Sequence, residues 1–414
     1  MANHNPGDVE FGDLDIEGTD VSQHFFSIVF KEHLLSPFVL GRVALNQYEG
    51  MAGNFDGSKK SSIVFGTPNG NKRRYDNMLV NNTSEMGIDD AQRSRNLMSE
   101  LISKHAITSN FTPNFQKSFK NIQVSDMVNR VLSDGLGMEI PMNIDITKGL
   151  QGSDYQPIIM TQKSPLKHIE DLRRMAVSNE NYDGFLTYSG IGESGGEEFF
   201  FKSVYDLIKG SSVGTLTNLS QYEMNSDLNS PLMNNVMEMY FNNSSNAMDK
   251  GHGFSVGTSK FDMHTAVGSV PDLKYGKQRQ EYGSSTSLNP GQTSGYVTDP
   301  YNGMPGTGNI ILEDSRRPDT TRAATAPYTE SLFTDMKQKF LTVKIPGNSN
   351  YKVGNIIDFE MRENTDMFVN KDVSYWGKNM IVGMTNYVGP IGDRPRYVTY
   401  LDLINIQTYN GQVS

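Results

Sequence analysis

Apolar and polar residues alternate along the first part of the chain, which is the pattern of half-buried β-strands. In residues 24–31, the apolar side chains of Phe26, Ile28 and Phe30 occupy one side of an extended backbone. Similar runs follow a Ser-Pro-Phe step and a glycine-rich loop. Successive strands joined by turns favour a small antiparallel sheet or barrel. The predicted strands are residues 24–31, 39–48 and 62–66.

Three later segments carry the spacing of apolar residues that favours amphipathic helices. The first covers residues 88–104, where Ala91, Leu97, Met98 and Leu101 define the apolar side. In the second, Ser125 is the expected N-cap and glycines at 135 and 137 end the helix. In the third, a Ser-Pro pair at 164–165 supplies the N-cap and the first helical residue.

Two apolar strands around a glycine-rich turn follow these helices. The strand GFLTY begins at Gly184 and the strand EFFFKS begins at Glu198. Together with the helices before them, they predict a compact α/β unit. After residue 208 the composition changes, and residues 251–326 are dominated by Gly, Ser, Thr, Pro and Asn. So long a loop in a compact domain usually serves as an interaction arm or a functional loop.

The clearest alternation lies in the last eighty residues. Leu341, Val343 and Ile345 alternate with a threonine and a lysine, and three further runs near residues 357, 380 and 400 are equally apolar. We predict a short helix at residues 329–338 followed by a second antiparallel β domain. The predicted fold class is therefore α+β and mainly β, with two β domains and an α/β unit between them.

Composition narrows the possible functions. The chain has 414 residues, 37 Lys plus Arg against 47 Asp plus Glu, a net charge of -10 and no cysteine. This length favours several domains. Without cysteine, disulfides, thiolate metal sites and cysteine nucleophiles are excluded. A net acidic chain is poorly suited to wrapping nucleic acid. The polar first residues differ from a secretory signal peptide and no run is long enough for a transmembrane helix, so we expect synthesis in a cytoplasm.

A literal GxGxxG is formed by Gly190, Gly192 and Gly195. A phosphate-binding loop of this kind must lead directly into a helix, because the N–H groups and dipole of the helix N-terminus hold the anion. Here the sequence EEFFFKS follows, which reads as a strand. We therefore interpret the glycines as a hairpin loop.

The residues His252, Asp262 and His264 are the candidate metal ligands of the chain, and they would make it a metal-dependent hydrolase. Their spacing matches no specific motif, so we favour surface or structural histidines. We find no GxSxG elbow, and no serine partner can be identified for His24, His33, His105 or His168.

Adjacent charges are the remaining candidates for chemistry. Two neighbours on a strand point to opposite faces, so pairs such as Glu197 and Glu198, or Asp89 and Asp90, form no acid/base couple and are interpreted as solvated charges. The basic clusters at 59–60 and 72–74 are interpreted as solubilising loops between strands. The sequence therefore assigns no catalytic, cofactor-binding or metal-binding residue and no cofactor.

The order of segments resembles the baseplate hub proteins of contractile-tailed bacteriophages, which are related to the hub part of type VI secretion spike proteins. FFSIVFKEHLLSPFVLGRVALNQ is similar to the opening of the first barrel of that family, and FKNIQVSDMVNRVLSDGLGM to a strand and helix that follow. SPLKHIEDLRRMAV and ENYDGFLTY…EEFFFKSVYDLI resemble the next helix and hairpin. GNIIDFEM, GKNMIVGMTNYV and YVTYLDLI resemble the closing strands of the second barrel. Residues 225–325 show no such similarity to the family.

The resemblance implies a homotrimer in which each subunit contributes two tube-like antiparallel β-barrels, forming a ring of pseudo-sixfold symmetry. It implies a position in the tail baseplate of the virion, between a sixfold tail tube and a threefold central spike. The implied partners are the spike, the tube protein, baseplate wedge proteins and genomic DNA that passes through the lumen without specific binding. An acidic wall would suit such a conduit, because it repels phosphates. No membrane insertion is expected.

The domain division implied by the resemblance and the residue pattern together has four parts. Residues 1–120 form an N-terminal arm and first barrel, 121–205 the α/β insertion, 206–245 with 325–414 the second barrel, and 246–324 a loop-rich insertion. Two other functions stay open from the sequence alone. One is a hub-like part of a type VI or extracellular contractile injection system, and the other is the hydrolase described above.

Overall fold

The computed structural model of the chain describes fourteen segments, and everything below concerns these. They are residues 7–48, 55–68, 70–89, 94–120, 122–147, 158–178, 184–217, 234–243, 256–262, 267–269, 307–313, 339–360, 377–391 and 394–406.

The described elements are mainly strands. The strands are β1 Glu10–Ile16, β2 Thr19–Asp20, β3 Phe25–His33, β4 Leu40–Tyr48, β5 Ser61–Gly66, β6 Lys72–Asp89, β7 Ser94–Ser103, β8 Phe115–Phe119, β9 Met142–Ile144, β10 Ile158–Lys163, β11 Phe185–Ile191, β12 Glu197–Ser203, β13 Ser212–Thr217, β14 Glu238–Asn243, β15 Val256–Asp262, β16 Val267–Ser269, β17 Thr307–Glu313, β18 Lys339–Pro346, β19 Ile356–Glu360, β20 Gly377–Ile391 and β21 Arg394–Asn405. The helices are α1 Lys104–Phe111, α2 Val124–Arg130 with a π-helical turn Val131–Gly135, α3 Pro165–Met175 and α4 Val204–Ile208.

One thirteen-stranded sheet runs through most of the molecule, and the order of its main path is β14-β18-β21-β20-β3-β4-β7-β6-β5-β1-β2. Along one edge, β20 pairs with β21 from Asn379 to Ile391. Along the other edge, its first residues pair with β19 and its later residues pair with β3. The sheet therefore divides at β20 into two lobes that share the β20–β21 hairpin.

Each lobe encloses its own apolar core. The first core contains Ile28, Phe30, Phe65 and Tyr75 from β3, β5 and β6, and the second core contains Leu341, Val343, Ile357 and Phe359 from β18 and β19. The shared hairpin contributes to both. The hairpin contributes Met380, Ile381, Met384, Leu401 and Leu403 to the second core, and Val388 and Tyr397 to the first.

Strands nearly encircle each core. Around the first core, the Tyr397 N–H donates to the Gly7 carbonyl oxygen at 2.8 Å, which brings the segment before β1 back to β21. Around the second core, β13 lies beside β19, and a single bridge joins Thr217 to Asn235 just before β14. In the described residues neither circuit is closed by a full ladder of strand pairs.

A third core lies in the α/β region, where α2 and α3 pack on the sheet β11-β12-β9. It contains Val128, Leu172, Phe185 and Phe199. The helix α3 begins after Ser164 with Pro165 in its first turn, as predicted, and buries Ile169 and Leu172. All seven residues of β11 are buried, because the strand is covered on both faces. Its residues belong to all three cores: Phe185 to the third, Leu186 and Tyr188 to the second, and Ile191 to the first.

Several local predictions were wrong. The predicted helix 88–104 is a strand over Ser94–Ser103, because Ser99 and Ser103 are as buried as Leu97 and Leu101 and complete a period of two that apolar residues alone do not reveal. Phe26 is 47% exposed, since a register shift between residues 25 and 27 turns it away from Ile28 and Phe30. Helix α2 begins one residue before Ser125, with Gln123 as its N-cap.

The region expected to be loop-rich includes regular structure. A three-stranded sheet, β16-β15-β17, lies between residues 256 and 313, with β15 parallel to β17. The predicted helix at 329–338 lies outside the described residues. In the part of the chain that the structure describes, no helix is both long and apolar enough to cross a membrane.

Candidate functional site

A buried ion pair lies where the two lobes and the α/β region meet. Arg73 on β6 and Glu32 on β3 have fully buried side chains, and Nη1 of Arg73 lies 2.7 Å from Oε1 of Glu32. The alternation in both strands explains their position. Glu32 follows Ile28 and Phe30 on the inner side of β3, and Arg73 precedes Tyr75 on the inner side of β6. The pair is therefore part of the core and not of the surface.

The other contacts of this pair join separate parts of the fold. The Tyr75 hydroxyl donates to Glu32 at 2.6 Å, and the Ile191 N–H of β11 donates to the second carboxylate oxygen at 3.2 Å. On the other side, Arg73 donates to the Tyr351 carbonyl oxygen and lies 3.2 Å from the Met384 sulfur. The group thus links the first core to the second core and to β11. We call these residues, Glu32, Arg73, Tyr75, Ile191, Tyr351 and Met384, the buried junction.

The environment of the buried junction fixes its charges. Burial acts to lower the pKa of Arg73, but the charge of Glu32 together with the contributions of Tyr75 and Tyr397 outweighs it, and the pKa lies above its ordinary value. Burial, and then the charge of Glu32, raise the pKa of the Tyr75 hydroxyl. Both shifts favour the protonated forms, so Arg73 is a cation and Tyr75 a neutral donor near neutral pH.

A second feature is a continuous face on the outer side of the sheet, shared by both lobes. Residues facing outward pair in register across eight strands, from β14 through β18, β21, β20, β3, β4 and β7 to β6. One complete row consists of Glu238, Lys344, Tyr400, Thr385, Lys31, Leu40, Ile102 and Leu79. Adjacent rows bring Tyr240, Thr342, Asp402 and His33, and then Tyr387, Val29, Arg42 and Glu100. We call this surface the sheet face.

The charges of the sheet face cancel. Its described rows hold three acidic residues, Glu100, Glu238 and Asp402, and three basic residues, Lys31, Arg42 and Lys344. Four of the six form pairs across neighbouring strands. Glu238 lies 2.6 Å from Lys344, and Glu100 lies 2.9 Å from Arg42. The acidic excess of the whole chain is therefore located elsewhere than in these rows.

Polar groups also lie in the contact between the first core and the α/β region. We call this contact the seam. It is formed by Pro37, Ser103 and His105 on one side and by Ser189 and Glu197 on the other. The Ser103 hydroxyl donates to Glu197 at 2.5 Å and accepts the Val39 N–H at 2.9 Å.

Glu197 was predicted to be a solvated charge, which is wrong: it is 4% exposed, because it shares the inner side of β12 with two phenylalanines. Glu198 points to the opposite face, as expected from a strand.

The seam gives one histidine a serine neighbour that sequence reasoning missed. The Ser189 hydroxyl lies 3.2 Å from Nε2 of His105, and both residues contact the Pro37 carbonyl oxygen. Ser189 has no exposed surface and its hydroxyl donates to Pro37, so it cannot reach a substrate carbonyl. Burial lowers the pKa of His105 to about 4. The contact is structural, and only the pairing of distant strands could have revealed it.

The other sequence candidates can now be placed. The GxGxxG glycines form a hairpin between β11 and β12, as predicted: the Gly192 N–H donates to Gly196 at 2.8 Å, and Gly195 has φ +81. His252 and His264 lie outside the described residues, and Asp262 ends β15. Within the described segments no group of three or more His, Asp or Glu could hold a metal ion.

The interpretation of residues 72–74 as a loop between strands was wrong, since they begin β6. Lys72 and Arg74 do face outward, where they pair with Glu10 and Asp76. Between them Arg73 points into the buried junction. A signal for this was present, because Arg73 has the same parity as Tyr75 in an alternating run.

Comparison with known proteins identifies the fold. No protein-family model and no curated protein matches the sequence. A solved tail protein from Neisseria meningitidis MC58 matches with a TM-score of 0.58 and 11% identity over 96% of both chains. The 43 kDa tail protein of prophage MuSo2 from Shewanella oneidensis matches with a TM-score of 0.56 and 11% identity, over 96% of this chain and 97% of that chain. A type VI secretion system component of E. coli matches with a TM-score of 0.48 and 9% identity, over 96% of this chain and 76% of that chain.

The two tail proteins align with almost the whole chain, including both lobes and the α/β region. This chain therefore has the fold of these tail proteins, and the resemblance predicted from the sequence is confirmed at the level of the fold.

Proposed function

We propose that this protein is a structural hub of a contractile phage tail and not an enzyme. Three copies form a ring of pseudo-sixfold symmetry that adapts a sixfold tail tube to a threefold central spike, with baseplate wedge proteins around it. The observation that carries this proposal is the single sheet running through two lobes. Two lobes in each of three subunits supply six positions around the ring, which is what an adapter between threefold and sixfold partners requires.

The two lobes correspond in the proposal to two tube-like barrels. The support is the circuit of strands that nearly surrounds each core, in which β20 and β21 take part on both sides. The third core corresponds to the α/β insertion at residues 121–205, and the sheet β16-β15-β17 to the insertion at 246–324. The first proposed barrel covers residues 1–120, and the second covers residues 206–245 with 325–414. The one exception is the far end of the β20–β21 hairpin, which packs in the first core.

The sheet face is the surface that we assign to the wall of the channel. It is continuous across both lobes, so three copies would supply a wall without a break inside any subunit. Its charges balance and most are paired, so it offers DNA phosphates neither a basic patch to bind nor a strong repulsive field. This replaces the acidic wall expected from the net charge. DNA would pass such a wall without specific contacts.

The first test is the number of subunits. Purified protein at micromolar concentration is expected to be a stable homotrimer in native mass spectrometry, because obligate interfaces of this kind bury more than about 2,000 Å². The expected species is three times the 46.1 kDa subunit. A protein that stays monomeric, alone and when the tail's own spike protein is added, contradicts the proposal.

The second test uses the absence of native cysteine, which lets one introduced thiol report one position. Lys31→Cys places a thiol on the sheet face, and Lys167→Cys places one on the exposed side of α3. In assembled tail particles, a maleimide attached to a large polymer is expected to label position 167 at least about tenfold faster than position 31. A small maleimide should label both. Equal labelling by the large reagent would remove the sheet face from the channel.

A further inference from the structure

The seam holds a carboxyl group for which the proposed hub function has no use. Glu197 begins β12, opposite Ile191 of β11, and its carboxyl group lies between the first core and the α/β region. Oε1 accepts the Ser103 hydroxyl at 2.5 Å, whereas Oε2 has no hydrogen-bond partner among the described residues. A buried carboxylate oxygen without a partner is costly, since its full desolvation is not compensated.

The charged groups around Glu197 do not compensate a negative charge. Glu32 on β3 and Asp76 on β6 act on it with the same sign. Arg73 on β6 is bound to Glu32, and His105 on α1 is kept neutral by burial. Burial first, and then Glu32 and Asp76, raise the pKa of Glu197 to about 7, while the bond from Ser103 acts in the opposite direction.

Two backbone hydrogen bonds cross between the α/β region and the first lobe beside this carboxyl group. The Arg74 N–H of β6 donates to the Gly195 carbonyl oxygen at 2.8 Å, and the Ser189 N–H of β11 donates to the Ser36 carbonyl oxygen at 3.1 Å. If the seam opens to admit water, both amides lose their acceptors. They are therefore direct reporters of the seam.

We propose that the seam is a protonation-controlled joint: a neutral Glu197 holds the α/β region against the first lobe, and an ionised Glu197 opens the contact to water. In the closed seam the carboxyl group is buried and keeps its proton up to about pH 7, while in the open seam it is hydrated and ionises like an ordinary glutamate. Opening therefore releases a proton and is favoured as the pH rises from the ordinary pKa of about 4.5 to the raised one of about 7. Above that range the carboxyl group is ionised in both the closed and the open seam, so the opening equilibrium no longer depends on pH.

The test is amide hydrogen exchange of the full-length protein between about pH 5 and pH 8, with rates corrected for the intrinsic dependence on pH. The opening equilibrium at the Arg74 and Ser189 amides is expected to increase about tenfold per pH unit up to about pH 7 and then to level off. In Glu197→Gln, which cannot ionise, it should not vary with pH. Glu198→Gln, on the opposite face of β12, is the matched control and should behave like the unmodified protein.

Two results would overturn the proposal. One is an opening equilibrium at these amides that does not change with pH in the unmodified protein. The other is an unchanged pH dependence in Glu197→Gln, which would assign it to Glu32 or Asp76. If Glu197→Gln does not fold, Ser103→Ala tests the proposal in its place. This substitution removes the hydrogen bond that favours the carboxylate, so the pH at which the opening equilibrium levels off must rise. If that pH does not change, the proposal is refuted.

Discussion

Replacing Arg73 by methionine should destabilise the fold by about 3–5 kcal/mol, the cost of breaking a buried ion pair by removing one partner. Methionine is close to arginine in length and fills the same space, so the effect is not a cavity. It arises because Glu32 keeps a buried negative charge with no cation, and because the Tyr351 carbonyl oxygen loses its donor. Urea unfolding followed by tyrosine fluorescence and by circular dichroism measures the change.

Two companion variants separate charge from packing. Glu32→Gln combined with Arg73→Met removes both charges. The amide oxygen can still accept the Ile191 N–H, and the amide NH2 can donate to the Tyr75 hydroxyl oxygen, so at least half of the lost stability should return. Arg42→Met breaks the exposed pair with Glu100 and should cost about 1 kcal/mol or less. If Arg73→Met costs no more than Arg42→Met, the buried junction does not have the structural importance assigned to it.

Gly347→Ala should be destabilising by about 3 kcal/mol, near the upper end for an overpacked core. A Cβ at this position would lie 2.0 Å from Cγ of Tyr397. The Tyr397 ring is fully buried, lies edge-on to Phe65 at 5.4 Å, and donates from its hydroxyl to Asn386 at 2.8 Å. The backbone cannot yield easily either, because the Gly347 N–H donates to the Tyr397 carbonyl oxygen at 2.8 Å.

The matched control is Gly196→Ala, where the nearest atom to the added methyl is the Ser194 hydroxyl oxygen at 3.6 Å. This is an ordinary contact, so the free energy of unfolding should change by less than about 1 kcal/mol. Both variants carry the same added methyl group and differ only in the space around it. Equal urea midpoints for the two would mean that the contact between Gly347 and Tyr397 is looser than the structure has it.

Strand positions could be predicted from the sequence wherever apolar residues alone mark the inner side. Leu341, Val343 and Ile345 in β18 satisfy this condition and are fully buried. In β7 the inner positions include Ser99 and Ser103, which are small enough to be buried but carry no apolar signal. The apolar residues alone therefore predict a helix where the structure has a strand.

The buried junction and the sheet face depend on information that a local pattern does not contain. Glu32 and Arg73 meet because β3 and β6 enclose the same core, although they are 41 residues apart. Their parity could have suggested burial, but nothing local pairs one with the other. The rows of the sheet face depend on the register of eight strands, and a slip of one residue in any of them would exchange its faces.

The shared hairpin also has a consequence for the order of events during synthesis. The first lobe is built from β1 to β7, but Val388 and Tyr397, which complete its core, belong to β20 and β21 at the far end of the chain. The first lobe therefore cannot fold to completion as it leaves the ribosome and must wait, partly open, until β20 and β21 have been translated. A chain released before β21 leaves the cores of both lobes unfinished.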